Sequence, residues 1–174
     1  MILALILLIP LLTSEYALPD EPEGVSDIRA YYSEVKSMID EEYALYTTTI
    51  LINPTDVPYP AVGNYFERTD FYWDLNTEYG EKNLLLVIHT SQHAAHSEYH
   101  ELLFERGGGL VFLFSSTSNN DEMKIETRRW YSGGALLHST ECLVTPDGTE
   151  FIEPGDDPFM RTPEYYVKLF EAID

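Results

Sequence analysis

The sequence predicts an α+β protein that is mainly β: an antiparallel meander of about seven strands, with an N-terminal and a C-terminal helix. Three observations predict it. Runs rich in Tyr, Phe, Thr, Val, Ile and Leu alternate with turn residues, and flat or β-branched side chains of this kind suit a pleated surface. A Gly-Gly pair recurs between two such runs. Helical spacing of apolar residues is confined to two stretches, one near each end.

The elements follow in order. Ile2 to Leu12 reads ILALILLIPLL, uncharged and shorter than the ~20 apolar residues of a membrane span. Residues 1–17 therefore predict a signal peptide, although the stretch before the apolar run has no Lys or Arg. Residues 18–25 read as an acidic, Pro-rich linker, and residues 26–174 as a single antiparallel β-sheet domain. Ser26 and Asp27 have the character of a helix start, and Ile28, Tyr31, Tyr32, Val35, Met38 and Ile39 recur at helical spacing. The spacing predicts a helix over 27–42.

From Tyr46 the period changes. Tyr46 to Ile52 is a β-branched run, and prolines 54, 58 and 60 make 53–63 a loop. Tyr65 to Leu75 reads as the next strand, and 76–82 as a turn. Leu84 to Thr90 is nearly continuous in apolar residues, as expected of a central strand covered on both faces. Residues 99–111 are then echoed 26 positions later by residues 125–137: Phe104 aligns with Trp130, Gly107-Gly108 with Gly133-Gly134, and Leu110 with Leu136. Two copies of strand, Gly-Gly and strand predict a repeated hairpin, because glycine supplies the positive φ of a two-residue turn. Ser115 to Glu122 reads as a polar connection, Thr145 to Gly148 as a turn, and Glu153 to Pro158 as an acidic loop. Thr162 as cap, Pro163 at the first helical position and the face Tyr166, Leu169, Phe170 and Ile173 predict the closing helix.

Composition excludes several functions. Thirty acidic against ten basic residues give a formal charge of −20, and the basic residues are scattered apart from Arg128-Arg129. Such a chain repels nucleic-acid phosphates and anionic membranes, so neither is a predicted partner. Membrane contact would come only through an uncleaved N-terminal segment. Cys142 is the one cysteine, so no internal disulfide exists, and it reads as a small core residue. No nucleophile elbow, phosphate-binding loop or calcium loop is present, so no cofactor and no enzyme activity are predicted.

Four of the five histidines fall within twelve residues: His89, His93, His96 and His100. With Ala94-Ala95 at a hairpin turn, His93 faces His96 and His89 faces His100, all on one side of the ribbon. The near pair, His93 and His96, is the candidate metal site for Zn²⁺ or Cu²⁺, with Glu98 or Glu101 as a third ligand. The plainer reading is a turn with solvent-facing imidazoles. The acidic pairs Glu41-Glu42, Asp121-Glu122 and Asp156-Asp157 need a cleft before they carry chemistry.

The N-terminal apolar segment, the helix opening Ile28-Arg29-Ala30-Tyr31-Tyr32 and hairpins of the form aromatic-x-x-Gly-x-x-Leu together resemble small exported bacterial proteins of uncharacterised function. The hairpin form stands here as Phe104 to Leu110 and Trp130 to Leu136, with Gly-Gly where the family-like turn has Asn-Gly. The likeness covers residues 26–142 and extends more distantly to antitoxin-like hairpin-repeat proteins. It implies an antiparallel sheet and carries over no catalytic residue.

Two functional readings follow. One is an exported binding or interaction module, periplasmic or extracellular, that meets a protein or glycan through Tyr65, Tyr72, Trp73, Trp130 and Tyr131; the plainer reading of these aromatics is core, because one face of such a sheet must be covered. The other is a carrier of a small apolar ligand inside a closed β-barrel.

Overall fold

The computed structural model describes residues 22–41, 44–60, 63–75, 80–94, 96–119, 123–155 and 161–173. The expected signal segment, the first half of the linker, Ala95 and the pairs Asp121-Glu122 and Asp156-Asp157 lie outside them, as does Glu42.

The chain is mainly β, and its described residues form eight strands in one antiparallel meander with a helix before and a helix after them. The elements are α1 (Val25–Asp40), β1 (Tyr46–Ile52), β2 (Tyr65–Leu75), β3 (Lys82–His93), β4 (His96–Phe104), β5 (Leu110–Asn119), β6 (Met123–Ser132), β7 (Ala135–Thr145), β8 (Gly148–Ile152) and α2 (Pro163–Glu171). Strand order follows chain order, and no ladder joins β1 to β8 among the described residues. The sheet is open.

Successive side chains of a strand point to opposite faces, so cross-strand partners define rows. The row Tyr72, Leu86, Leu103, Phe112 and Trp130 lies under α1, which inserts Val25, Val35 and Tyr32 against it. The neighbouring row Phe71, Val87 and Leu102 lies under α2, which inserts Tyr166 and Phe170. The two helices thus cover opposite faces. Leu84 to Val87 of β3 are all buried, as a strand sandwiched between two helices requires.

Several expectations need correction. The helix predicted over 27–42 begins at Val25, and its N-cap is Gly24, held at φ 94°. Ser26 is not the cap, because Val25 is drawn wholly into the core. Val25, expected in the linker, is instead the first residue of α1. Thr162 stands at the N-cap of α2 with Pro163 behind it, but its side chain makes no capping bond. The eighth strand, β8, follows the predicted turn, pairing Thr149 with Val144 and Phe151 with Cys142. Five residues at a sheet edge carry too little pattern to announce themselves. Residues Ser115 to Asn119, expected in a connection, continue β5, because β4 and β6 offer ladder partners on both sides.

The echo is two hairpins, but not two equivalent ones. Ser132 and Ala135 pair across a two-residue turn, with Gly133 at φ 56° and Gly134 at φ 80°. The first copy needs five residues between Phe104 and Leu110, with Gly108 at φ 88°. Phe112 pairs with both Leu103 and Trp130, which are 27 positions apart. The sequence echo of 26 is one short of that, so Phe104 faces α2 whereas Trp130 faces α1.

Candidate functional site

Toward the N-terminal end of α2, the sheet face it covers turns polar. Row by row, β2, β3 and β4 present Thr69, His89 and His100, then Glu67, Ser91 and Glu98, then Tyr65, His93 and His96. Arg161, just before α2, and Tyr166 on α2 join them, and these residues, Thr69 and His100 apart, line a half-open cleft of about 290 Å³. The four clustered histidines share this face. His93 stacks on His96 with ring centroids 4.3 Å apart, and His89 on His100 at 5.9 Å.

Burial separates the two pairs. His93 and His96 are half-buried at the hairpin end, whereas His89 is 3% and His100 1% exposed. His89 Nδ1 lies 2.9 Å from Thr69 Oγ1, and its ring leans on Tyr166. Burial lowers the His89 pKa to about 4, so its imidazole is neutral at neutral pH.

The two cleft carboxylates have different partners. Glu67 accepts a bidentate pair from Arg161 at 2.6 and 2.8 Å, and a further bond from the Tyr65 hydroxyl. Burial would raise its pKa, but the Arg161 and Tyr65 hydrogen bonds hold it below the ordinary carboxyl value. The Tyr65 hydroxyl is pushed up to about 12 by burial and by this bond. Glu98 lies between two imidazoles, with Oε1 3.3 Å from His96 Nε2 and Oε2 3.5 Å from His100 Nε2. Burial would raise Glu98 too, and the hydrogen bond and charge of His100 outweigh it.

Three buried groups of this region have hydrogen-bonding capacity left over. Among the described residues, Ser91 Oγ and the Tyr166 hydroxyl make no hydrogen bond, and His100 has only its long contact to Glu98. Burial also raises the Tyr166 pKa, so the hydroxyl keeps its proton.

The other candidates scatter. Glu101, considered as a third metal ligand, lies on the opposite face, where Tyr32, Tyr99 and Lys36 donate to it. It pairs with Ile88 where Glu98 pairs with Ser91, and a three-residue step along a strand reverses direction. Trp130, considered as a surface contact, is 2% exposed beneath α1 and belongs to the core. Tyr72 is half-buried at the α1 face, Trp73 stacks on Tyr46 beside Phe170, and Tyr131 is half-buried in β6. Tyr65 alone of the five lines the cleft. Cys142 is buried, and burial raises its thiol pKa.

Glu67, Ser91, Arg161 and Tyr166 carry no signal in the sequence that ties them to the histidines. They lie on β2, on β3, just before α2 and on α2, and only Ser91 is near the histidines in sequence. No helix among the described residues is long and apolar enough to cross a membrane. Compared with known protein families, with curated proteins and with solved structures, the chain matches none.

Proposed function

We propose that this chain is a binding module whose working surface is the histidine-lined cleft beside α2, and that the cleft takes a small polar guest. In the setting that residues 1–17 predict, an exported protein, the guest is met outside the cytoplasm. The observation that carries the reading is the pair of buried hydroxyls, Ser91 Oγ and Tyr166 OH, on two residues of the cleft wall, which find no partner among the described residues. A buried hydroxyl left unsatisfied costs about 1–3 kcal/mol, which a polar guest offsets. At about 290 Å³ the cleft sits at the small end of ligand sites.

This replaces an aromatic contact surface with a polar cleft, since Trp130 is core and Tyr65 is the one candidate aromatic in the cleft lining. The apolar-carrier alternative calls for a closed barrel around a greasy interior. The open sheet and the polar lining favour the cleft instead.

The test is ¹H–¹⁵N NMR of metal-free protein titrated with phosphate, acetate, succinate, glycine and glucose. At least one probe is expected to shift the Ser91 and Tyr166 amides saturably, and the S91A/Y166F variant to lose that response. Folded protein whose cleft signals ignore the whole panel would sink the proposal.

A further inference from the structure

We propose that the outer end of the cleft binds a late first-row divalent metal ion of the zinc class through His93, His96 and Glu98, with His100 positioning Glu98. This rests on the binding reading above and names a ligand for the same cleft.

The donor set comes first. His93, His96 and Glu98 each bring one ligand atom to within 4.8 Å of the other two. Zinc ligands bound at about 2.0–2.2 Å in a tetrahedron lie roughly 3.3–3.5 Å from one another. The His96–Glu98 edge, at 3.3 Å, is already at that spacing. The remaining closure falls on His93, a half-buried side chain at the hairpin end that needs only to rotate about its own torsions. Two imidazoles and a carboxylate suit Zn²⁺, Cu²⁺, Ni²⁺ or Co²⁺, whereas Ca²⁺ and Mg²⁺ require oxygen ligands. Three protein ligands leave a fourth position for water or a small anion.

The second observation is the way Glu98 is held. One carboxylate oxygen faces the ligand His96 and the other faces His100, which is 1% exposed and has no other polar partner among the described residues. A buried imidazole aimed at the far oxygen of a ligating carboxylate is how metal sites orient their ligands. The neighbouring carboxylate, Glu67, is already neutralised by Arg161, so Glu98 meets the charge of the ion. The hairpin geometry accounts for the rest: β3 and β4 place His93 opposite His96 at the turn, and Glu98 comes two residues further along the same face of β4.

The experiment uses the full chain with any affinity tag removed, titrated with ZnCl₂ by calorimetry and with CoCl₂ by visible absorption. One equivalent of each is expected to bind saturably, with the intense visible bands of a four-coordinate cobalt ion. His93→Gln and His96→Gln, each checked for native circular dichroism, should weaken binding at least 100-fold. His100→Ala should weaken it about 10–100-fold, and His100→Gln, whose amide can still donate to Glu98, should recover part of the loss. Absence of saturable uptake of both metals, or uptake that survives both His93→Gln and His96→Gln, overturns the metal site; undiminished affinity in His100→Ala overturns the positioning role. If wild type ignores metals yet its Ser91 and Tyr166 amides respond to the polar probes, this inference falls and the binding reading stands. Silence in both experiments overturns both.

Discussion

Replacing Arg161 by methionine keeps an unbranched apolar stem but leaves the Glu67 carboxylate, 4% exposed, without its cation. Arg161 makes two charge-assisted hydrogen bonds to it, at 2.6 and 2.8 Å. Removing one partner of a fully buried pair costs about 3–5 kcal/mol. The Arg161 side chain is 33% exposed, so water partly replaces it, and Tyr65 still donates to Glu67. The working figure is therefore about 2–3 kcal/mol, or a fall in Tm of roughly 4–12 °C for a chain of this size. The cost also has a pH signature. Glu67 is held below its ordinary value of 4.5, so its stabilisation is full above that value and is lost as pH falls through the native pKa. Urea unfolding followed by tryptophan fluorescence should thus show the widest gap between wild type and R161M at pH 7, narrowing below pH 4. E67Q/R161M removes both charges and should recover more than half of the loss. A gap under about 0.5 kcal/mol at pH 7, within the range of ordinary surface substitutions, would refute the reasoning. So would a gap that does not narrow in acid, or a double variant weaker than R161M.

Other perturbations test other layers. Gly134→Ala should cost about 1–2 kcal/mol, because φ 80° strains an L-residue although nothing crowds the new methyl group; Gly133→Asn should be nearly neutral by the same denaturation assay. Phe170→Ala removes a ring 5.7 Å from Phe71 and 6.0 Å from Trp73, and should cost about 3–5 kcal/mol. Hydrogen exchange should then show α2 losing protection ahead of α1, since a nine-residue helix does not stand without its docking face. The His89 ring, facing Thr69, His100 and Tyr166 with Glu67 and Arg161 nearby, should titrate at about 4 in an NMR pH series. The unfolded chain takes up that proton near 6.5, so His89 lowers native stability as pH drops from 6.5 towards 4. A His89 midpoint near 6.5 would contradict its burial.

Much of the candidate site was legible because strand geometry is periodic. Once Ala94-Ala95 is taken as a turn, the alternation of side chains places His93 opposite His96 and His89 opposite His100, and the ladders have that register. The same parity separates Glu98 from Glu101, which lie three residues apart and so on opposite faces. The 26-residue echo misleads for a related reason: one residue of difference in hairpin length is invisible as similarity but reverses every side chain that follows.

From the sequence alone came the antiparallel character of the chain, both helices, the Gly-Gly hairpins and the shared face of the four histidines. Each of these depends on residues close together along the chain, where sterics, periodicity and turn chemistry act directly. Tertiary structure alone decided that Trp130 is core, that the sheet stays open, and that Glu67, Ser91, Arg161 and Tyr166 complete the cleft. Those outcomes depend on which distant segments meet, and therefore on how α1 and α2 divide the two faces of the sheet between them.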